Sequence, residues 1–237
     1  EYIDSYLGRA TVVDLRRSHM AAADTPLTFR TSDRRVGTPQ VFATTEFARW
    51  VTDDVHDALG RWTMANGMLL DLPWGAELFD VMGTEINWMR SGAFTPERDD
   101  RLLYRRALSY RKPYGMLMNT DFGAFGHDLV ERYMQVALFY AIYPSLFSHD
   151  ASSDRYWDDP ALYERDRALF ARYIPLVRAL SKAGWEPVTR ARSDDPTVLV
   201  ERYGQWPELY IALRSLASAP LTPTLALEAG PLGLPSG

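Results

Sequence analysis

The chain contains no cysteine, and only two of its 26 basic residues are lysines, Lys112 and Lys182. Without cysteine, disulfides, thiolate nucleophiles and cysteine-ligated zinc sites are excluded. The shortage of lysine is typical of a GC-rich genome, although arginine can also bind planar anions. Acidic residues outnumber basic ones and the net charge is −5. This charge repels phosphate backbones and anionic headgroups, which disfavours nucleic acid and membrane surfaces as partners.

Long apolar runs and cofactor motifs are also missing. No stretch approaches the roughly 20 apolar residues of a membrane span, and no secretory signal pattern opens the chain. There is no His-Glu-x-x-His, Walker loop, EF-hand or Gly-x-Ser-x-Gly, so we expect no metal or organic cofactor. The four histidines lack ligand spacing. His56 and His127 fall in predicted helices as surface or capping residues, whereas His19 and His149 fall in loops that could line a site.

Aromatic residues, by contrast, are abundant at 13% of the chain, within a hydrophobic content of 46%. This is enough apolar material for one domain and part of another. The chain begins at Glu1 rather than Met and ends at 234–237 directly after a strand-like run. We therefore expect it to be a piece of a longer protein.

Short apolar runs alternate with longer amphipathic segments, a pattern typical of βα units around a parallel sheet. Five runs are predicted strands: 2–5, 62–66, 78–85, 114–120 and 143–148. Four segments have helical apolar spacing: 44–59, 98–110, 127–140 and 160–183. The order predicts parallel strands with helices between them.

After Gly184 the pattern changes to short, turn-bounded runs with no helix between them. These predicted strands are 186–192, 197–203, 209–213 and 222–228. They indicate an antiparallel module. The predicted domains are therefore 1–184 and 185–237.

The predicted fold class is α/β: about strands four to eight of a (β/α)8 TIM barrel, followed by the start of an antiparallel β-sandwich. A whole barrel takes about 250 residues, which is more than the chain provides before Gly184. The alternative is an open doubly wound sheet. That alternative lacks its usual fingerprint, because no Gly-x-Gly-x-x-Gly follows any predicted strand.

Carboxylates recur where the predicted strands end. The four acids at these positions are Asp4, Glu85, Asp121 and Asp150. Strand ends of a barrel converge on one mouth, so these acids could meet there and perform acid/base chemistry. For any one of them, capping of the next helix or an Asx turn is the competing interpretation, above all for Asp121. Asp80 lies inside a strand run, where a buried acid needs a partner.

Aromatic residues stand beside these acids, as a sugar site requires. Pyranose rings stack on aromatic faces while carboxylates bind hydroxyls and transfer protons. Trp74 and Trp88 lie in polar segments and are predicted to border such a site. Phe122 is interpreted as a core residue.

Several motifs together resemble the second half of a retaining TIM-barrel glycoside hydrolase, broadly of the α-galactosidase and endo-α-N-acetylgalactosaminidase type. They are Tyr-Ile-Asp-Ser at 2–5, Met-Ala-Asn-Gly at 64–67, Asp80-Val-Met-Gly-Thr-Glu85, Met-Leu-Met-Asn-Thr at 116–120, Ser-His at 148–149 and Gly-Trp-Glu-Pro-Val-Thr at 184–189. The resemblance implies that Asp4 is the nucleophile and Glu85 the acid/base. The predicted substrate-binding residues in or beside these motifs are Asn66, Asp80, Trp88, Asn119 and His149.

The segment from Asp14 to Asp24 is unusually rich in charge. It follows the first predicted strand as a long connection, and such loops at a barrel mouth often bind substrate. Asp14, Arg17 and His19 are therefore predicted substrate-binding residues, as are Trp74 and Asp121. A salt-bridged surface loop is the competing interpretation of this segment.

The leading functional prediction is a glycoside hydrolase that acts on an oligo- or polysaccharide through Asp4 and Glu85. Their carboxyl groups are expected about 5–5.5 Å apart if the enzyme retains configuration, or about 6.5–9.5 Å apart if it inverts. One alternative is a noncatalytic carbohydrate-binding barrel. Another is a metal-dependent lyase or isomerase that uses Asp4, Glu85, Asp121 and His149.

Overall fold

The computed structural model describes residues 1–3, 6, 12–67, 73–150 and 155–235. The chain divides into two compact units, Glu1–Thr84 and Glu85–Gly237. The predicted boundary at Gly184 lies inside the second unit, where the last long helix is followed by antiparallel strands.

The first unit contains short strands and two helices. Its elements are β1 (Tyr2–Ile3), β2 (Val13–Asp14), α1 (Arg17–Ala22), β3 (Thr28–Phe29), β4 (Val36–Pro39), α2 (Gln40–Val51), a π-helical turn (Thr52–Asp57), β5 (Met64–Asn66), a 3-10 turn (Pro73–Leu78) and most of β6 (Val81–Ile86). Strands β2, β4 and β3 form a small antiparallel sheet. The sequence predicted only a long loop there, because strands of two residues show no periodicity.

The second unit begins within β6 and contains the longer helices. Its further elements are β7 (Met89–Arg90), β8 (Ala93–Phe94), α3 (Asp99–Ser109), β9 (Tyr114–Met118), α4 (His127–Phe139), β10 (Tyr143–Leu146), a 3-10 turn (Tyr156–Asp158), α5 (Pro160–Ala183), β11 (Trp185–Glu186), β12 (Ala191–Ser193), β13 (Val198–Tyr203), β14 (Tyr210–Ser215), β15 (Leu225–Leu227) and α6 (Ala229–Leu232). The hairpin of β7 and β8 was not predicted.

A five-stranded parallel sheet has the order β1-β5-β6-β9-β10. Each of the five strands predicted from the sequence contributes one member, in chain order. The prediction of an α/β chain with five parallel strands is therefore confirmed. Closure of this sheet into a barrel stays a prediction.

The two faces of β9 differ because alternate residues point to opposite sides of a strand. Tyr114, Met116 and Met118 are buried, whereas Gly115 and Leu117 are half-buried. Helix α4 contributes its own buried side chains, among them Tyr133. The hydroxyl of Tyr133 donates to the Met116 carbonyl and accepts from the backbone N–H of Ser145 at 3.2 Å. One side chain of α4 thereby links β9 and β10.

Helix α5 has the bounds that its sequence predicts. Asp159 caps it by accepting a hydrogen bond from the backbone N–H of Ala161 at 2.8 Å, and Pro160 occupies the first turn. It ends at Gly184, whose φ of 88° favours glycine. Although α5 has 24 residues, no helix in the described parts of the chain is both long and apolar enough to cross a membrane.

Antiparallel strands follow α5, as predicted. Strands β11, β13 and β14 form one sheet, and β12 and β15 form another. The single predicted strand at 186–192 corresponds to two, β11 and β12. Tyr203 anchors the first of these sheets, since its ring is fully buried and its hydroxyl donates to the Phe139 carbonyl at 2.6 Å. The sandwich arrangement itself stays a prediction.

Removing the Tyr133 hydroxyl tests this strand linkage. We expect Tyr133→Phe to lower the free energy of unfolding by about 1–3 kcal/mol, because it leaves buried backbone groups of β9 and β10 without a partner. The measurement is urea denaturation of the full-length protein. Tyr163→Phe is the matched control on the half-buried surface of α5, where a change within about 0.5 kcal/mol is expected. Equal losses in the two variants would contradict the linkage.

Candidate functional site

Two of the predicted site residues meet where β6 and β9 end. Glu85 is the fifth residue of β6, and Asn119 directly follows β9. The backbone N–H of Asn119 donates to the Ile86 carbonyl at 2.8 Å, which fixes the register between the two segments. The Asn119 side chain then donates from Nδ2 to Oε2 of Glu85 at 2.9 Å. A carboxylate and an amide are thus held together at the carboxyl end of the sheet.

The other polar atom of the Asn119 amide has no hydrogen-bond partner among the described residues. Its Oδ1 is buried and unpaired within the described part of the chain. Buried polar atoms are nearly always hydrogen-bonded in folded proteins, because leaving one unsatisfied costs about 1–3 kcal/mol. Asn119 Oδ1 is therefore a hydrogen-bond acceptor that no described residue uses, and it belongs to the side chain that binds the exposed Glu85.

Five further buried side-chain polar atoms lack partners among the described residues: Trp88 Nε1, Arg106 Nε, Thr120 Oγ1, Ser148 Oγ and Arg202 Nε. Met118 of β9 pairs with Leu146 of β10. Thr120 and Ser148 each lie two residues beyond that pair, and both are as deeply buried as the pair itself. These two hydroxyls are therefore buried polar groups just beyond the carboxyl ends of β9 and β10.

Trp88 belongs to the core rather than to an exposed cleft. Only 1% of its surface is exposed, and its ring packs edge-to-face against Phe94 and Tyr133. The sequence placed it in a polar segment because the hairpin that returns Phe94 onto its ring was not predicted. In the first unit, Trp74 is half-exposed in the 3-10 turn.

Asp121 caps a turn in its own loop. Its Oδ1 accepts hydrogen bonds from the backbone N–H groups of Gly123 at 2.9 Å and Ala124 at 3.3 Å. Asp121 therefore makes the Asx-type turn that competes with a role in substrate binding. His149 is exposed, one residue beyond Ser148.

Asp80 stabilises the first unit. Its carboxylate accepts from the Thr63 backbone N–H at 2.8 Å and the Thr63 hydroxyl at 3.0 Å, and it contacts His56 Nδ1 at 3.0 Å. Burial raises the pKa of Asp80, but these hydrogen bonds outweigh burial and hold the pKa below its ordinary value. The acid inside the strand run thus has partners within its own unit. Asn66, at the end of β5, is 6% exposed, and its carbonyl accepts from the Tyr6 backbone N–H at 2.8 Å.

The charged segment after Asp14 forms a compact ion cluster. Arg16 donates hydrogen bonds to the Asp14 carboxylate from Nε at 2.9 Å and from a terminal nitrogen at 2.6 Å, and His19 Nδ1 lies 2.7 Å from Oδ2. Hydrogen bonds from Arg16, aided by His19, hold the pKa of Asp14 well below its usual range. Of the predicted trio, Asp14 and His19 are in contact. Arg17 begins α1 as an exposed residue, and Arg16 is the arginine in the cluster.

A buried ion network behind the strand ends was not predicted. Asp166 of α5 is fully buried and contacts His127 Nδ1 at 2.9 Å, the Tyr156 hydroxyl at 3.0 Å and the Arg165 guanidinium at 2.7 Å. Arg165 also donates to the carbonyls of Phe122 and Phe125, both at 3.2 Å. The network therefore ties the loop after β9 and the segment after β10 to α5. In sequence, Arg165 and Asp166 resemble any exposed charged pair of a helix.

The predicted nucleophile, Asp4, lies outside the described residues. The separation of the Asp4 and Glu85 carboxyl groups therefore stays a prediction. Among the residues that the structure describes, no group of three or more His, Cys, Asp or Glu side chains could hold a metal ion.

Comparison with known proteins identifies no relative. No protein-family model, curated protein or solved structure matches the chain.

Proposed function

We propose that the chain carries the catalytic region of a glycoside hydrolase that cleaves O-glycosidic bonds of an oligo- or polysaccharide. Glu85 is its acid/base and Asp4 its nucleophile, on a (β/α)8 barrel whose later strands are the parallel sheet. The observation that supports this proposal most is the contact between Glu85 and Asn119, together with the unpaired Oδ1 of Asn119. Sugar hydroxyls are donors of the kind that this oxygen lacks.

The chemistry of this pair follows from the two carboxylates of a retaining glycosidase. Asn119 holds Oε2 of Glu85, and the proton to be transferred sits on the other oxygen. Glu85 donates this proton to the glycosidic oxygen as the carbon–oxygen bond breaks, while Asp4 attacks the anomeric carbon. Glu85, now ionised, accepts a proton from the water that displaces Asp4. The Oδ1 atom of Asn119 accepts a substrate hydroxyl and fixes the sugar beside Glu85.

Truncating Asn119 tests the proposal. The full-length protein is assayed on α- and β-configured p-nitrophenyl glycosides, and at least one of them is expected to be hydrolysed. We expect Asn119→Ala to lower kcat/KM for that substrate about 10–100-fold, because a hydrogen bond to a charged group contributes about 1.5–3 kcal/mol. Gln205→Ala, at an exposed amide before β14, is the matched control.

Three results bear on this assay. Unchanged kcat/KM in Gln205→Ala with a loss in Asn119→Ala supports the role of the amide. Equal rates in both variants would contradict it. Binding of sugars without any hydrolysis would instead favour the noncatalytic carbohydrate-binding barrel.

A further inference from the structure

The first unit contains an open groove of about 1230 Å3, formed by β2, α1, β4 and α2. Pockets for drug-sized ligands have volumes of about 300–1000 Å3, so this groove can accommodate a longer ligand. All of its lining residues are in the described part of the first unit.

The backbone builds this groove without depending on mobile side chains. Gly37 of β4 lies so close to β2 that a Cβ atom there would come within 2.2 Å of the Asp14 carbonyl oxygen. Only glycine permits this close approach of the two strands. The Asp14 carboxylate is then locked by Arg16 and His19, so the polar wall is preorganised.

The charges of the lining nearly balance. Three carboxylates, two guanidinium groups and one histidine line the groove: Asp14, Asp24, Glu46, Arg16, Arg49 and His19. A groove of nearly balanced charge has no strong net attraction for a polyanion or a polycation. Its other polar groups, among them the hydroxyls of Thr25 and Thr45, can both donate and accept hydrogen bonds. The matching ligand is neutral and carries many hydroxyl groups.

An aromatic ring and a histidine complete the groove. Phe42 lines it and is 41% exposed, which provides an apolar surface for the face of a sugar ring. His19 directs Nδ1 to Asp14. Its Nε2 is therefore the ring nitrogen left to bind a ligand hydroxyl.

We propose that this groove of the first unit is a second carbohydrate-binding site, which takes a segment of a neutral oligo- or polysaccharide independently of Glu85. The ring of Phe42 stacks on a sugar, and His19, held by Asp14, binds one of its hydroxyls. This proposal goes beyond hydrolysis at Glu85, because the groove can bind a glycan whether or not the chain cleaves one.

Affinity electrophoresis of the full-length Glu85→Gln protein tests the groove without interference from hydrolysis. The gels contain galactomannan, xylan or dextran as neutral probes and polygalacturonate as an anionic one. We expect retardation by at least one neutral polysaccharide. Phe42→Ala is expected to weaken it about tenfold, through loss of an apolar contact surface, and His19→Ala about fivefold, through loss of a hydrogen bond.

Two more variants keep the test independent of folding defects. Phe47→Ala removes a similarly exposed phenylalanine of α2 that does not line the groove, so its retardation should equal that of the parent. Ala43→Trp adds bulk to the groove wall without removing a contact and should abolish retardation.

Absence of retardation by any neutral probe, equal retardation in all variants, or groove-dependent retardation by polygalacturonate alone would overturn the proposal. Failure of the hydrolase proposal has a different signature: kcat for hydrolysis of an unactivated oligosaccharide would not change in Glu85→Gln.

Discussion

Replacing Glu85 by glutamine is expected to lower kcat for an unactivated oligosaccharide about 100- to 10,000-fold, the usual contribution of a positioned general acid or base. Glutamine has nearly the same shape, and its carbonyl oxygen can still accept the hydrogen bond that Asn119 donates to Oε2. It has no proton of suitable acidity to give to a leaving oxygen. The loss should therefore appear in kcat rather than in the stability of the protein.

The control for this variant is Glu208→Gln, which makes the same chemical change at an exposed site before β14. Its kcat should equal that of the wild type. Thermal unfolding of both variants checks that the fold is retained. If the two variants have the same kcat, Glu85 is not the acid/base.

Asp166→Asn is expected to lower the free energy of unfolding by about 1.5–3 kcal/mol, because a neutral amide only partly replaces the hydrogen bonds that the carboxylate accepts from charged groups. The Asp166 side chain is fully buried, whereas the Arg165 side chain that it binds is partly exposed. The loops after β9 and β10 would lose their common anchor. Urea denaturation at pH 7 measures the change. Asp128→Asn, at an exposed carboxylate in the first turn of α4, is the control and should cost at most about 1 kcal/mol.

The same network predicts how the stability of the protein depends on pH. Burial raises the pKa of Asp166, but the hydrogen bonds from Arg165 and His127 outweigh burial and lower the pKa below 3.8. A lowered folded-state pKa stabilises the protein above the unfolded-state value, and this contribution is lost as pH falls through the folded-state pKa. The difference in the free energy of unfolding between wild type and Asp166→Asn should therefore be largest near neutral pH and decrease below pH 3.8. A difference that grows on acidification would contradict this assignment.

Elements with strong local signals could be predicted from the sequence. The bounds of α5 follow from Asp159, Pro160 and Gly184, each of which acts within one helical turn. The parallel strands follow from apolar runs separated by amphipathic helices. The sheet of β2, β3 and β4 could not be predicted, because its close pairing depends on Gly37 meeting β2, a contact remote in sequence.

In the candidate site, too, contacts between residues remote in sequence could not be predicted. Glu85 was found because strand ends of a parallel sheet share one edge, a rule that needs only the order of strands. Asn119 was found through the resemblance of the motif that contains it. The core position of Trp88 depends on the fold of the β7–β8 hairpin, and the network of Asp166 depends on loops that pack against α5. Neither the burial of Trp88 nor the network of Asp166 corresponds to a pattern in the local sequence, because both depend on tertiary packing.

The most direct test of Glu85 as acid/base is whether the decrease in rate caused by Glu85→Gln depends on the leaving group of the substrate. The full-length Glu85→Gln protein is compared with wild type on a methyl glycoside and on the 2,4-dinitrophenyl glycoside of the same sugar and configuration. The dinitrophenolate leaves without a proton, so formation of the glycosyl-enzyme should proceed at nearly the wild-type rate in a pre-steady-state burst. Cleavage of the methyl glycoside should fall about 100- to 10,000-fold. An equal decrease in rate on both substrates, or no decrease on either, would contradict the assignment of Glu85 as acid/base.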